Sequence, residues 1–289
     1  MKNILITGAT GNVGMEVLKA LKSIKHTFEI HAGVFNLKND VQKLKGFNDS
    51  CVQFDFTDVT TFKAALLRCD VLFLLRPPQL SEVQKYFKPL IDVAVSCGVK
   101  HIVFLSVQGV EKSKIIPHHK IEKLIVKSKI PYTFLRPAYF MQNFTSTLHK
   151  DLVEHHKIFL PAGDAKFTLV DVSDIGEMAA IILTESENHV NKSYELTSNE
   201  KLSFGEMANK LSKALRHKIN YESPNLLKFY LTKRKENMQV MLILVMIMLH
   251  YLPRFQKEPN LTNVIKQILK REPKSFEQFI SENLEVLMH

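Results

Sequence analysis

Gly8-Ala9-Thr10-Gly11-Asn12-Val13-Gly14 is the stretch that decides the fold. It follows the apolar run Asn3-Ile4-Leu5-Ile6-Thr7. It precedes Val13, Val17, Leu18 and Leu21, which recur at helical spacing. Strand, glycine turn and amphipathic helix thus come in immediate succession. In such a G-x-x-G-x-x-G turn, Gly8 permits the tight exit from the strand. Gly11 lets the backbone approach a pyrophosphate, and Gly14 lets helix and strand pack closely. The open helix end offers free N–H groups and a positive dipole to the phosphates. Gly8, Thr10, Gly11, Asn12 and Val13 are therefore the first candidates to hold a dinucleotide.

Working outward, strands and helices alternate. Glu29–Val34, Ser50–Phe54, Val71–Leu75, His101–Leu105 and Tyr132–Leu135 read as strands, and Asp58–Arg68, Glu82–Cys97 and Pro117–Ser128 as helices. Continuous apolar runs such as Val71–Leu75 fit strands covered on both faces. The pattern predicts an α/β fold, a Rossmann-type doubly wound parallel sheet. The alternation fades near residue 140. Residues 1–140 are read as the dinucleotide-binding core, its sheet completed by a later strand near 166–197. Residues 141–289 are read as a smaller, mostly helical substrate or capping region.

The chain has 289 residues, 45% of them hydrophobic and 24% charged, a globular balance that needs no disulfide or metal scaffold. Cys51, Cys69 and Cys97 form no C-x-x-C pair, so no metal site is expected. No charged and apolar leader follows Met1, and reduced thiols suit a cytoplasmic location. The most apolar run, Val240–Leu249, is short of the roughly 20 residues that span a bilayer, and a buried helix is predicted there. The net charge of +10 attracts anions in general. No zinc finger, RNP pattern or zipper stands beside it, so neither specific nucleic-acid binding nor a membrane is expected.

The end of the second strand reads His31-Ala32-Gly33-Val34-Phe35-Asn36-Leu37-Lys38, with no acid before Asp40. NAD binders place an acid there for the ribose hydroxyls and NADP binders a base. Lys38 and Asn36 therefore favour NADP, with NAD as the alternative.

The chain resembles the NmrA-like group of atypical short-chain dehydrogenases/reductases over nearly its whole length. The resemblance rests on the glycine loop, Gly98-Val-Lys-His-Ile-Val-Phe-Leu-Ser106 and Pro117-His-His-Lys-Ile-Glu122. It continues through Pro131-Tyr-Thr-Phe-Leu-Arg-Pro137, Phe140-Met-Gln-Asn143, Leu160-Pro-Ala-Gly163, Phe167 to Ile175, Tyr194-Glu-Leu-Thr197 and Arg271-Glu-Pro-Lys-Ser-Phe276. It implies a Rossmann domain with a small C-terminal substrate domain. Members include NAD(P)H:quinone oxidoreductases, triphenylmethane-dye reductases and NADP-sensing regulators. Many relatives carry arginine where Phe35 stands. The Tyr-x-x-x-Lys pair of ordinary short-chain dehydrogenases is missing between Glu111 and Glu122. Counting back along the helix puts Lys114 and His118 at its positions; counting forward from Ser106 puts His118 and Glu122 there.

The resemblance also implies roles for residues at the strand ends. Asp55 and Phe56 would hold the adenine, with helix capping as the other role for Asp55. Leu75 and Arg76 would lie along the adenosine. Ser106, Pro137 and Tyr139 would approach the nicotinamide. His118 is the catalytic candidate and, with Phe140, Met141, Asn143 and Phe144, a substrate-binding candidate; core packing competes for the apolar ones. Asp171 and Asp174 are read as a capping pair for the next helix. Without the tyrosine, hydride transfer to an electron-poor quinone or dye stays chemically accessible, whereas sugar epimerisation does not. The leading expectation is an NAD(P)H-dependent oxidoreductase acting on a quinone-like or other conjugated small molecule. The other is a non-catalytic NAD(P)-sensing regulator that binds a protein partner.

Overall fold

The structure, a computed structural model, describes residues 2–47 and 50–289. It divides into two compact units. The first holds Met1–Ala138, Val172–Leu196 and Val264–Arg271; the second holds Tyr139–Asp171, Thr197–Asn263 and Glu272–His289. The sequence suggested a break after residue 140 with one later strand returning to the sheet, whereas the chain returns to the first unit twice.

The chain begins with β1 (Asn3–Ile6), α1 (Asn12–Ser23), β2 (Glu29–Val34), α2 (Leu37–Leu44), β3 (Ser50–Gln53) and α3 (Thr60–Leu66). It continues through β4 (Val71–Leu75), α4 (Val83–Ser96), β5 (His101–Leu105), α5 (Pro117–Ser128) and β6 (Tyr132–Pro137). The second unit then receives β7 (Tyr139–Phe140), α6 (His149–His155), β8 (Lys157–Phe159) and β9 (Lys166–Val170). The first regains the chain for α7 (Val172–Thr184) and β10 (Lys192–Leu196). The second takes β11 (Lys201–Ser203), α8 (Phe204–Leu215), β12 (Asn220–Glu222), α9 (Leu226–Lys235) and α10 (Val240–Tyr251). α11 (Val264–Leu269) belongs to the first, α12 (Phe276–Glu282) and α13 (Leu284–Met288) to the second.

The first unit is built on a seven-stranded sheet in the order β10-β6-β5-β4-β1-β2-β3, every pair of it parallel. Chain order reverses between β1 and β4, which makes their carboxyl ends the switch point where open α/β sheets bind ligands. Phe62, Phe87, Leu90, Ile121 and Ile125 from α3, α4 and α5 bury Leu72, Leu74, Ile102 and Phe104 of the sheet. α1 and α7 pack side by side, and α7 lies against β5 and β6. The strand that completes the sheet is β10. β9, at the start of the predicted span, instead joins β7 and β11 in a sheet of the second unit.

Two elements depart from expectation. α2 was not anticipated: its sequence is polar, and Asn36, read as a ligand residue, is its cap. α10 is helical as predicted but only half-buried. Ile243, Met246 and His250 face the core, while Met241 is 69% exposed and Val240, Leu242, Leu244, Met248 and Leu249 are exposed beside it. A helix apolar on all sides gives no sign of which side lacks a neighbour. Among the described residues no helix is long and apolar enough to cross a membrane.

Thr7 locks the switch point. Its fully buried hydroxyl donates to Phe73 O at 2.9 Å and accepts from Leu75 N–H at 2.9 Å, while its own N–H reaches Phe73 O at 3.0 Å. Thr7→Val keeps the shape but leaves Leu75 N–H without its acceptor. We expect it to destabilise the chain by about 1–3 kcal/mol in denaturant unfolding, and Thr7→Ser to lose much less. Equal stabilities for the valine and serine variants would show that the hydroxyl contributes nothing.

Candidate functional site

The glycine loop leaves β1 with Gly8 in the left-handed region, φ +63°. A Cβ on Gly14 would lie 2.2 Å from Gly8 O and 2.8 Å from Ala9 Cα, so only glycine lets α1 start this close to the strand. Gly11 is the N-cap of α1 and has no side chain with which to cap it. Its own N–H bonds Gly8 O at 3.0 Å and its carbonyl accepts Met15 N–H at 2.9 Å. The N–H groups of Asn12, Val13 and Gly14 meet no protein acceptor among the described residues. Thr10, Gly11 and Asn12 are exposed, Val13 is buried under them, and the helix end presents its positive pole.

Beside the loop lie the carboxyl ends of β4 and β5. The register pairs Leu75 with Leu105, so Arg76 and Ser106 emerge as neighbours. Leu75 lies under the loop, its Cδ2 3.1 Å from where a Gly8 Cβ would be. The Ser106 hydroxyl is buried with no hydrogen-bond partner among the described residues. Arg76 Nε donates to His118 Nε2 at 3.3 Å. Burial pulls the His118 imidazole down to about 3, and the Arg76 charge adds to the effect. His118 is therefore neutral at ordinary pH. It can donate a hydrogen bond but holds no ready proton for catalysis, which narrows the catalytic role expected of it. His119 is a structural neighbour, bonded to Val110 O at 3.2 Å.

The two counts for the missing pair lead to residues in different surroundings. Lys114 precedes α5 and is exposed. Glu122 is gripped by Arg136, Nε to Oε1 at 3.1 Å and Nη2 to Oε2 at 2.8 Å. Pro137 is buried, its carbonyl accepting Gln108 N–H at 2.9 Å.

At the end of β2, Asn36 Oδ1 accepts Lys38 N–H at 3.0 Å and Asn39 N–H at 3.2 Å. The cap leaves only its amide NH2 for a ligand, fewer contacts than the sequence suggested. Phe35 is 70% exposed, and the exposed Lys38 ammonium meets no acid among the described residues. Asp55 Oδ1 accepts both Thr57 N–H and its hydroxyl at 2.8 Å, so the turn-forming role expected as the alternative is the one its geometry supports. Phe56 is buried against Phe54 and Phe87.

The sequence profile of the NmrA-like family matches residues 1–280. The chain belongs to the NmrA-like family. Prestalk A differentiation protein A of Dictyostelium discoideum is 29% identical over 280 residues, covering 97% of this chain and 92% of its own. An NAD(P)H azoreductase of Xenophilus azovorans is 29% identical over 225 residues, 75% of this chain and 76% of its own. The NADPH complex of the quinone oxidoreductase QOR2 from Escherichia coli superposes with a TM-score of 0.86 at 22% identity, covering 97% of this chain and 99% of that one.

In this NmrA-like chain the residues after β6 turn inward, within the second unit. Met141 and Phe144 are fully buried in its core, which leaves them no surface for a ligand. Phe140 and Asn143 are half-buried and stay candidates. His250 Nδ1 lies 2.6 Å from Met246 O, so its Nε2 accepts the Tyr139 hydroxyl at 3.2 Å. Asn143 also bonds that hydroxyl, and burial holds the phenol well above its ordinary value. Tyr139 is thus committed to the core rather than to a ligand. The sequence offered no signal for this partner, which lies on α10. Nor did it reveal that Arg271 holds the buried Asp174 at 2.7 Å, a role beyond capping; Asp171, just ahead of α7, accepts Gln142 Nε2 at 2.9 Å.

His101, His118 and His250 sit at about 4, 3 and 4, below the ordinary 6.5, chiefly through burial. The unfolded chain protonates them between those values and 6.5 while the folded chain does not. Unfolding then takes up protons, and stability falls as pH drops through that window. We expect denaturant midpoints to decrease from about pH 7 to pH 5, with the His118 ring resonances not titrating there. A His118 midpoint near 6.5 would contradict its burial.

Proposed function

We propose that this protein is an NAD(P)H-dependent reductase that passes hydride to a quinone-like or other electron-poor conjugated small molecule. The observation behind the reading is the glycine loop at the switch point, with the uncapped N–H groups of Asn12, Val13 and Gly14 beside it. Ser106 adds a buried hydroxyl that lacks a partner, the kind of group a bound ligand satisfies. The residues present therefore fit a dinucleotide. NADP(H) is favoured over NAD(H): the Lys38 ammonium is open, and Asp40, the first acid after β2, turns its carboxylate onto Asn36 N–H at 3.1 Å.

When bound, the reduced nicotinamide supplies the hydride, and a proton from water completes the two-electron reduction of a quinone to a hydroquinone. The protein binds, orients and excludes water. No tyrosine stands between Glu111 and Glu122. A quinone suits that lack, because it accepts hydride without prior protonation.

The test is titration with NADPH, NADP⁺, NADH and NAD⁺, followed by menadione-dependent NADPH oxidation. We expect tightest binding of the NADP pair and turnover with menadione. Binding without turnover across quinones and dyes would replace the reductase by a dinucleotide sensor. Absence of binding to all of them would end the cofactor assignment.

A further inference from the structure

Among the described residues Arg76 is a cation without a carboxylate. Its Nη1 donates to the carbonyls of Pro77 and Pro78 at 3.0 Å and of Leu80 at 2.9 Å, and its Nε donates to His118. Burial alone acts on its protonation, with no neighbouring acid contributing. The other half-buried guanidiniums are paired: Arg136 with Glu122 and Glu111, Arg271 with Asp174 and Glu177. A half-buried guanidinium with no carboxylate beside it, at the ligand-binding edge of a sheet, keeps its charge available to an anionic group.

Two donors stay open on this pair. Arg76 Nη2 has no partner among the described residues. His118 Nε2 is the acceptor from Arg76, which puts the imidazole hydrogen on Nδ1, and Nδ1 has no partner there either. The side chains are held by protein groups, Arg76 by its carbonyls and His118 by packing against Phe104 at 6.1 Å between rings.

The geometry points to Arg76 and His118 as an oxyanion clamp, a subsite for the substrate oxygen that becomes negative on hydride transfer. This deepens the reductase reading and rests on it. The hydride would leave the C–H bond of a bound reduced dinucleotide, which is thereby oxidised by two electrons, and bond to the quinone framework, which is reduced by two. The displaced electron pair settles on a carbonyl oxygen as a phenolate-type anion. Arg76 supplies the charge and His118 a hydrogen bond without giving up its proton, and water then protonates the oxygen. A hydrogen-bond donor backed by a cation is what the missing Tyr-x-x-x-Lys pair would have provided. Here it is assembled from the end of β4 and the start of α5.

The test uses 4-nitrophenol, whose phenolate is visible by absorbance, titrated against pH with the full chain, with and without NADP⁺. The bound reporter should ionise about one pH unit lower than free reporter, and Arg76→Met should abolish that shift. With menadione, Arg76→Met should lower kcat by about 10²-fold with little change in KM. Arg76→Lys keeps the charge but not the carbonyl bonds, so it should retain most of the shift. His118→Phe, which preserves the ring packing, should weaken phenolate binding several-fold.

Several outcomes would overturn the clamp: no binding of the phenolate, an unshifted bound reporter, or a lysine variant no better than methionine. So would an Arg76→Met variant that loses NADPH affinity while keeping the reporter shift, because Arg76 would then serve the cofactor's phosphate. The reporter titration without dinucleotide reads the clamp even if the cofactor reading fails.

Discussion

The Thr7 hydroxyl between β1 and β4 is the constraint on which the first unit depends. The strand order reverses at this seam, so no crossover helix holds the two ends together. A single side chain satisfies Leu75 N–H and gives Phe73 O a second donor beside the Thr7 N–H, while the backbone turns away into Gly8. Everything placed at the edge follows. The glycine loop starts one residue later, Leu75 lies beneath it, and Arg76 and Ser106 leave adjacent strands in register.

The parts of this arrangement that a sequence can announce are those carried by local pattern. The apolar runs of β1, β4 and β5 and the glycine loop determine their own conformation, because burial on both faces and tight turns restrict residue type. α2 escaped notice because its only strong local signal, Asn36, also suits a ligand. The whole-chain resemblance supplied positions for the site but not the fate of each side chain. Tyr139, Met141 and Phe144 follow β6 as expected, yet their surroundings are set by α8, α10 and α12, far along the chain. Periodicity gives no information about such distant neighbours.

The same limit applies to charge. His118 looks like an acid–base residue on paper, with its ordinary value near neutrality. Its character is set by desolvation and by Arg76, 42 residues earlier. Glu122 likewise looks available until Arg136 closes on both its oxygens. Between Glu111 and Glu122 the sequence holds no tyrosine. The edge of the sheet holds a half-buried imidazole and a guanidinium bonded to each other, and a buried hydroxyl with no partner among the described residues.

The outer face of α10 governs how the molecule behaves among its own copies. Val240, Met241, Leu242, Leu244, Met248 and Leu249 present an uninterrupted apolar surface, and apolar contact is favourable by roughly 25 cal/mol per Å² removed from water. Against that adhesion stands a net charge of +10, which keeps copies apart only as far as its field reaches. That reach is about 10 Å at 0.1 M salt and about 3 Å at 1 M. Added salt shortens that reach while leaving the apolar face intact, so the balance between repulsion and contact at α10 shifts toward contact as ionic strength rises.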